Sequence, residues 1–343
     1  MNLPERAIVK VYACGIFSEP TFKSEMINQA LLWEEVRING KFNEWYKIKL
    51  KRDGYVGWVN GMYLTCGNLR HNEMLLDMLD TNQKIKIYRL PSRRPIVRGK
   101  NEGLKTSHEL FLKEESQNWH KKISMSCVLP VIEENDNYYL VPSEEHFDYY
   151  EFLLGEYGLN LDVIDKNRTE SFNHNDKDVS IIMEGTNYSF NRRYLIESYA
   201  RLLCDTPYLW GGRSFQGYDC SGLVQTCSNL AGYQIPRDTK DQINSSLLQP
   251  IKKEKVEIGD LIFFKKNEEV NHVGIISKTD QSLFDFHLDI FVLTHSSSWR
   301  GNVFCDYVVI EGDEVQSMYD YNGEFVPRTD LQPMRLSQIM RFK

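Results

Sequence analysis

Hydrophobic positions in the first part of the chain recur in short runs that turn residues separate. Apolar runs occupy residues 8–11, 30–33 and 45–48, and residues 53–59 place an Asp-Gly turn before an aromatic strand. Short runs with alternation, bounded by Gly and Asp, are typical of strands and tight turns. Several short strands with aromatic residues in about 60 residues predict a small β-barrel, which we assign to residues 1–68.

The same pattern returns further along the chain. Isoleucines alternate with lysines at residues 84–87, and an apolar run at 138–141 closes the stretch. We therefore predict a second, more divergent barrel over residues 80–143. The following residues, 144–190, are polar and dense in Asn and Asp, so we predict a connecting segment with one short helix at 149–157.

The hydrophobic pattern becomes helical in the last part of the chain. Leu195, Tyr199 and Leu202 are four and three residues apart, which predicts a helix over residues 192–204. A second apolar face of this kind predicts a helix over residues 220–231. Three apolar runs then predict strands, at 260–265, 272–277 and 290–296. Helices followed by an antiparallel sheet predict an α+β domain over residues 191–343.

Composition narrows the class of protein and its partners. The 343 residues are 41% hydrophobic and 26% charged, which is typical of a soluble globular protein of two or three domains. The net charge of -7, without a long basic run, argues against a nucleic-acid partner. No apolar stretch reaches the roughly 18 to 20 residues that span a bilayer, so we expect no membrane insertion.

Cysteine usage and the charged N-terminus predict a reducing compartment. The seven cysteines are scattered, odd in number and free of CxxC pairs, which fits neither a zinc site nor a disulfide framework. We expect reduced thiols and no metal. Glu5, Arg6 and Lys10 interrupt the place where a secretory signal would have its apolar core, so we expect a cytoplasmic protein. A longer, exported form stays open.

Two segments bring a cysteine to the start of a predicted helix. Residues 208–213 read Tyr-Leu-Trp-Gly-Gly-Arg, and residues 218–224 read Tyr-Asp-Cys-Ser-Gly-Leu-Val. Cys220 lies in the first helical turn, where unpaired N–H groups and the helix dipole favour a thiolate and can stabilise an oxyanion. Asp219 is of a good N-cap type, and Gly222 leaves room for a substrate near the backbone. We therefore predict that Cys220 is a nucleophile.

A nucleophilic cysteine needs a base, and two histidines are placed to supply it. His272 begins a predicted strand, and His295 ends the next one, so an antiparallel pairing would bring them together. In such sites the third group holds the base imidazole in the right tautomer. We predict the order Cys220, His272, His295. His287, which lies between the two strands, is the rival third member.

These motifs resemble a known family. Tyr-x-Trp-Gly-Gly, Asp-Cys-Ser-Gly-Leu-Val, Gly-Asp-Leu and His-Val-Gly-Ile occur in the order found in NlpC/P60-type cysteine peptidases, which are papain-like. With two small bacterial SH3-like barrels in front, the chain further resembles γ-D-glutamyl-L-diamino-acid endopeptidases, which cut bacterial cell-wall peptides between D-glutamate and a diamino acid. The resemblance implies an α+β fold with two SH3-like barrels preceding a papain-like NlpC-type domain.

The resemblance also implies a role for individual residues. Cys220 matches the nucleophile, His272 the general base and His295 the residue that orients it. The positions that match or border substrate-binding residues are Tyr208, Asp219, Ser221, Thr239, Glu34 and Tyr55. Among these, the carboxylates of Asp219 and Glu34 are the candidates to bind a free substrate amine.

Two features depart from the family pattern. The 23 positions that separate His272 from His295 exceed the family's usual spacing, so an insertion must be accommodated in the hairpin. Trp33 also stands where related barrels usually have a glycine.

The implied activity is hydrolysis of the γ-D-glutamyl-diamino acid bond of peptidoglycan stem peptides with a free N-terminal L-Ala. His272 would take the Cys220 proton, the thiolate would attack the γ-carbonyl, and water would hydrolyse the thioester, with no cofactor. Two alternatives stay open: an amidase or acyltransferase acting on another amide or ester, and a non-catalytic protein that binds cell-wall peptides. The sequence also leaves open meso-diaminopimelate against lysine, free peptide against intact wall, and the oligomeric state.

Overall fold

A computed structural model gives the fold, and the chain divides into two compact units, Met1–Asn187 and Tyr188–Lys343. The structure describes residues 3–67, 69–81, 84–87, 97–99, 127–130, 133–134, 138–142, 161–165, 179–182, 192–278, 289–320 and 334–343. The predicted helix at 149–157 and the rival His287 lie outside these residues. Within the described part of the chain, no helix is both long and apolar enough to cross a membrane.

The first unit begins with a six-stranded antiparallel sheet. Its strands are β1 (Arg6–Ile8), β2 (Ala13–Phe17), β3 (Met26–Leu31), β4 (Glu35–Phe42), β5 (Trp45–Leu50) and β6 (Val56–Asn60). They pair in the order β1-β4-β5-β6-β2-β3. In β5, Ile48 and Leu50 are buried whereas Lys47 and Lys49 are exposed, as the alternation predicts. Residues from β1, β2, β4, β5 and β6 meet in one hydrophobic core.

The turn between β3 and β4 contains an unusual backbone conformation. Trp33 has φ 66°, in the left-handed region that glycine adopts most easily, and its side chain is only 2% exposed. The Trp33 amide donates to the Val9 carbonyl at 2.9 Å, which fixes the turn against the chain that follows β1. A positive φ of this kind would suit glycine, and here it is occupied by tryptophan. Burial of the large indole offsets a backbone cost of roughly 1–2 kcal/mol.

The described residues of the rest of the first unit form one α-helix and two smaller sheets. The elements are α1 (Leu69–Thr81), β7 (Lys84–Ile87), β8 (Val97–Gly99), β9 (Val128–Pro130), β10 (Glu133–Glu134), β11 (Tyr138–Pro142), β12 (Leu161–Asp165) and β13 (Val179–Ile182). One sheet has the order β10-β11-β12-β8 and the other the order β13-β7-β9.

Two strands of these sheets lie within residues 144–190, which we predicted to be a connecting segment. Strands β12 and β13 come from that segment, yet β12 pairs with β11 and β8, and β13 pairs with β7 in parallel. Polar residues on both sides of these short apolar runs hid them from the pattern analysis. The second barrel and the domain boundaries stay predictions.

In the described residues of the second unit, three α-helices accompany a two-stranded sheet and a large seven-stranded sheet. Its elements are α2 (Arg192–Leu202), β14 (Arg213–Ser214), β15 (Gly217–Tyr218), α3 (Cys220–Leu230), α4 (Thr239–Gln242), β16 (Leu248–Ile251), β17 (Leu261–Lys266), β18 (Glu269–Lys278), β19 (Asp289–Ser297), β20 (Asn302–Glu311), β21 (Glu314–Asp320) and β22 (Arg335–Phe342). The two predicted helices and three predicted strands are confirmed to within three residues at their ends.

The sheet of the second unit is antiparallel and supports a fully buried helix. Its strand order is β16-β22-β17-β18-β19-β20-β21. Every residue of α3 is buried, and the helix packs against α2 on one side and against β18 and β19 on the other. Helix α3 is therefore held rigidly over the central strands, which carry the two predicted catalytic histidines.

Gly259, which precedes β17, offers a test of how closely α2 packs on the sheet. It has φ 83°, and a Cβ there would lie 2.1 Å from the Arg193 carbonyl oxygen of α2. We expect Gly259→Ala to lower the free energy of unfolding by about 3 kcal/mol or more, because left-handed strain and a steric clash add. The measurement is urea unfolding followed by circular dichroism.

Gly312 provides the matched control. It also has a positive φ, 59°, but a Cβ there would meet nothing within 4 Å. Gly312→Ala should cost only the backbone strain, about 1–2 kcal/mol. Equal losses for both variants would contradict the packing argument.

Candidate active site

The start of α3 is fixed by a side-chain cap. Asp219 is the N-cap, with extended backbone, and its Oδ1 accepts from the Gly222 amide at 2.7 Å. A Cβ on Gly222 would lie 2.2 Å from the Gly212 carbonyl oxygen. The expectation that Gly222 leaves room for a substrate is therefore wrong. The glycine makes room for the Trp-Gly-Gly turn, which packs directly on the helix.

The Asp219 carboxylate joins several parts of the site. Its Oδ2 accepts from the Gly211 amide at 2.8 Å and from Arg237 at 2.6 Å, and the Ser221 hydroxyl donates to Oδ1 at 3.3 Å. With the Gly222 amide, these donors match the roughly four lone-pair positions of a carboxylate. Asp219 is 6% exposed and Arg237 is 3% exposed. The predicted binding of a substrate amine by Asp219 stays a prediction.

Cys220 lies in a buried environment that keeps its thiol protonated. Burial and then the Asp219 charge raise the pKa of Cys220 to about 11, although Thr239, the Val273 N–H and Arg237 act in the opposite direction. The Thr239 Oγ1 is 3.9 Å from the sulfur. At this position burial therefore outweighs the groups that favour the thiolate. A base must remove the proton before Cys220 can attack.

The two histidines are adjacent, as the strand pattern predicts. His272 Nε2 and His295 Nδ1 are 2.8 Å apart, and the rings meet edge to face. Gly274 permits this approach, because a Cβ there would lie 3.3 Å from the His295 Cβ. The Val273 N–H, which donates to the Cys220 sulfur, directly follows His272. The residue next to the predicted base therefore contacts the nucleophile.

The sequence analysis did not identify the residue that binds His295 on the side away from His272. His295 Nε2 is 3.0 Å from Oδ2 of Asp306, a completely buried residue of β20. Arg300 pairs with the same carboxylate, and its guanidinium lies 4.2 Å from the centre of the Phe304 ring. The sequence signal for Asp306 was its position as a single carboxylate within an apolar strand. A buried Asp almost always has a partner.

Asp306 stays ionised despite its burial. Burial alone would raise the pKa of Asp306, but hydrogen bonds from His295 and Arg300 and their charges outweigh it, so the pKa is lowered. An ionised carboxylate only accepts hydrogen bonds. The His295 proton therefore belongs on Nε2, His295 Nδ1 accepts from His272 Nε2–H, and His272 Nδ1 is left as the basic nitrogen.

The other residues predicted around the nucleophile are close to it. Burial, followed by the nearby charges of Cys220 and Asp219, raises the pKa of Tyr208. The Ser221 hydroxyl accepts from Arg237 at 2.8 Å. The structure therefore brings Tyr208 and Ser221 together with Cys220, while Thr239 contacts the sulfur.

Glu34 and Tyr55 lie in the first unit and have partners there. Glu34 Oε2 accepts from the Leu31 amide at 2.9 Å, and its Oε1 is 3.3 Å from Arg52. The Tyr55 hydroxyl donates to the Ile27 carbonyl at 3.3 Å. Their role in substrate binding stays a prediction. Among the residues that the structure describes, no group of three or more His, Cys, Asp or Glu side chains is arranged to hold a metal ion.

Comparisons with known proteins match both units. The NlpC/P60 family model matches residues 205–298, and the bacterial dipeptidyl-peptidase SH3 domain matches residues 16–61. A crystal structure of an NlpC/P60 family protein from Bacillus cereus has a TM-score of 0.56 at 19% identity, and covers 89% of this chain and 94% of that one. These matches confirm the predicted α+β fold class, with an SH3-like domain before a papain-like domain.

Two relatives have informative names. A γ-D-glutamyl-L-lysine dipeptidyl-peptidase from Bacillus subtilis is 42% identical over 72 residues, which are 20% of this chain and 24% of that protein. A protein of the same name from Bacillus cereus is 23% identical over 265 residues, 74% of this chain and 66% of that protein. The match therefore spans less than two thirds of either relative.

Asp306 predicts a pH dependence of stability. Since the pKa of Asp306 is below its ordinary value of 3.8 in the folded chain, its ionisation stabilises the fold above that value. The contribution is lost as the pH falls through the folded pKa. We expect stability between pH 5 and pH 3 to fall more steeply in the parent chain than in Asp306→Asn.

The measurement is the urea midpoint as a function of pH. Asp313→Asn, at an exposed aspartate before β21, removes the same charge and is the matched control. Its slope should equal that of the parent. A parental slope in Asp306→Asn as well would show that Asp306 does not carry this effect.

Proposed function

We propose that this chain, which contains an NlpC/P60 domain and a bacterial SH3 domain, is a cysteine peptidase. It hydrolyses the γ-D-glutamyl-diamino acid bond of peptidoglycan stem peptides through a thioester. The observation that carries the proposal is the set of contacts from His272 through His295 to Asp306, next to Val273, whose N–H hydrogen-bonds to the Cys220 sulfur.

The first step follows from the protonated thiol. His272 Nδ1 takes the proton of Cys220, and the thiolate attacks the γ-carbonyl carbon of D-glutamate. The resulting imidazolium is stabilised through His295 by the buried Asp306 carboxylate. Asp306 is a positioning residue, because it acts on the base through His295 and does not touch the reacting atoms.

The later steps return the proton to the leaving group. Backbone N–H groups at the N-terminus of α3 are placed to stabilise the tetrahedral oxyanion. His272 then protonates the departing amine, and the γ-glutamyl thioester on Cys220 remains. Water attacks this thioester with His272 as base and restores the thiol. The cycle consumes one water and ends with the Cys220 thiol and the neutral His272 base restored.

The names of the two relatives support the proposed scissile bond and the proposed substrate with a free N-terminus. Both carry the name γ-D-glutamyl-L-lysine dipeptidyl-peptidase, which describes a peptidase acting at this bond. A free substrate amine would have to share Asp219 with donors that already fill its acceptor positions. Glu34, with Arg52 beside it, is the second proposed amine partner. A shielded charge-assisted contact contributes about 1.5–3 kcal/mol.

A peptide assay tests the activity. We expect the parent chain to cleave L-Ala-γ-D-Glu-meso-diaminopimelate or its L-lysine analogue, and Cys220→Ala to lose about a thousandfold or more in kcat/KM. N-acetylation of the peptide should lower kcat/KM roughly 10- to 100-fold, because it removes the cationic amine. Product formation is followed by chromatography under reducing conditions.

Each other outcome of this assay has a defined meaning. Equal cleavage of the free and acetylated peptides would overturn amine recognition but leave Cys220 as nucleophile. Cleavage of neither peptide would overturn the proposed substrate. Full activity in Cys220→Ala would overturn the cysteine peptidase mechanism.

Alkylation rates test the pairing of Cys220 with its base. In the parent chain the pKa of Cys220 is raised to about 11 by burial and Asp219, which His272→Ala leaves in place, so modification by iodoacetamide in that variant should rise about tenfold per pH unit from pH 7 to 9.5, without a plateau. In the parent chain, reaction at pH 7 should be at least about tenfold faster because His272 takes the proton. Fragment-ion mass spectrometry of the peptide over residues 214–237, which separates modification at Cys220 from modification at Cys227, gives both rates. Equal rates at pH 7 would contradict the role of His272.

A further inference from the structure

Aromatic side chains form a cluster on the outer face of the first sheet. The rings of Phe17, Phe22 and Trp45 meet edge to face, with centroid distances between 4.6 and 5.7 Å. The hydrophobic core of this sheet contains Ile16 of β2 and Ile48 of β5. Because successive side chains of a strand point to opposite faces, Phe17 and Trp45 lie on the face turned away from that core.

Large apolar side chains beside this cluster are open to solvent. Phe22 is 52% exposed, and Phe42, which lies directly opposite the clustered tryptophan in the β4–β5 pairing, is 55% exposed. Met62 is 56% exposed and lies at the same end of the sheet, because the Gly61 amide donates to the Glu44 carbonyl in the β4–β5 turn at 2.7 Å. We call Phe22, Phe42 and Met62 the apolar tip. Exposed apolar side chains that cluster, unlike scattered ones, mark an interaction site.

Basic residues continue the outer face beside the apolar tip. Lys47 and Lys49 lie two and four residues beyond Trp45 on the same face of β5, and Arg37 of β4 is directly opposite Lys49. We call Arg37, Lys47 and Lys49 the basic row, and all three are exposed. Within the part of the chain that the structure describes, no carboxylate forms an ion pair with them. Like charges directly opposite each other destabilise a sheet, so the row indicates an anionic partner.

The remaining charges leave this face positive. Two further exposed lysines, Lys23 and Lys41, flank the apolar tip. The carboxylates beside the tip are Glu19, Glu25 and Glu44. Glu35, beyond the basic row, is already paired with Arg6 and Lys51. The tip and the row therefore carry five cations against three carboxylates, although the whole chain has a net charge of -7.

The chemistry of the face favours one occupant. The side chains of the apolar tip carry almost no hydrogen-bonding groups, so they fit hydrocarbon better than a sugar or a peptide. A second copy of the chain in a symmetric dimer would bring the same positive face against itself. Exposed apolar side chains beside lysines and arginines are typical of surfaces that lie on anionic membranes. We propose that the apolar tip and the basic row are a docking surface for an anionic lipid bilayer.

The sheet holds the two parts of this surface in place before docking. Trp45 is buried beneath Phe22 and Phe17, which fixes the position of the exposed Phe22 ring. Lys47 Nζ lies 6.0 Å from the centre of the Trp58 ring, so its methylene chain covers an aromatic residue while its ammonium stays in water. In the docked state the phenylalanine rings enter the lipid interface, and the cations lie at the level of the lipid phosphates. Little ordering is therefore needed for binding.

Co-sedimentation of the intact chain with lipid vesicles tests the proposal. The vesicles contain phosphatidylglycerol and phosphatidylcholine in equal amounts, or phosphatidylcholine alone. We expect binding to the anionic vesicles in about 50 mM salt, and at least about tenfold weaker binding in about 500 mM salt, because salt screens the attraction. Binding to phosphatidylcholine alone should also be at least about tenfold weaker, because the negative surface potential is absent.

Two double variants separate the apolar and the electrostatic contributions. Phe22→Ser with Phe42→Ser should lower the partition coefficient at least about tenfold, since the rings no longer enter the interface. Lys47→Glu with Lys49→Glu should also lower it at least about tenfold, since the reversed charges repel the anionic headgroups. All four side chains are exposed, and circular dichroism with the thermal midpoint checks that both variants are folded.

Matched controls change exposed residues of the second unit. Tyr194→Ser with Leu202→Ser removes two apolar side chains of α2 that are exposed to a similar extent. Lys252→Glu with Lys255→Glu reverses two exposed charges. Both control variants should bind the anionic vesicles as strongly as the parent chain does.

Three results would overturn the proposal. They are absence of binding to the anionic vesicles in low salt, equal losses in the control variants and in the variants of the docking surface, and a loss in the charge variant without a loss in the phenylalanine variant. The last result would assign the face to a soluble polyanion. None of these measurements depends on peptide cleavage, so a failure here is distinct from a failure of the proposed function.

Discussion

The carboxylate of Asp219 is the interaction on which the rest of the site depends. It caps α3, holds the Gly211 amide of the preceding turn and pairs with the buried Arg237. Buried ion pairs recover their desolvation cost only when the remaining hydrogen-bond positions are satisfied, and here four donors surround one carboxylate. Three separate pieces of backbone are thereby fixed around Cys220. The same negative charge opposes ionisation of the thiol, so the interaction that builds the site also sets its resting state.

The protonated resting thiol explains the length of the polar chain behind it. A cysteine that were already a thiolate would need only an acid, whereas Cys220 needs a base that can accept a proton inside the protein. That base is held by His295, and His295 is held in one tautomer by Asp306. Arg300 keeps Asp306 ionised at the far end and is itself stacked on Phe304. Two buried carboxylates, Asp219 and Asp306, therefore act on opposite ends of one proton transfer.

Local features of the sequence predict much of this arrangement. Helix α3, its Asp219 cap and the strands that carry His272 and His295 follow from periodicity and residue type, and each is confirmed. The barrel strands at the N-terminus follow from alternation in the same way. Strands β12 and β13 escape the pattern because polar residues flank these short apolar runs, and their pairing with β8 and β7, far back along the chain, is visible only in the structure.

The features of the site that the sequence analysis did not predict depend on tertiary contacts. Asp306 reaches His295 only because β19 and β20 pair in a particular register, with His295 opposite Phe304. The direction in which the pKa of Cys220 shifts depends on burial, which an argument from the helix dipole leaves out. Cys220 illustrates this directly, because deep burial, followed by the charge of Asp219, raises its pKa despite its place at the start of a helix. Residue type and helix position alone therefore do not determine the resting state of the nucleophile, whereas its tertiary neighbours do.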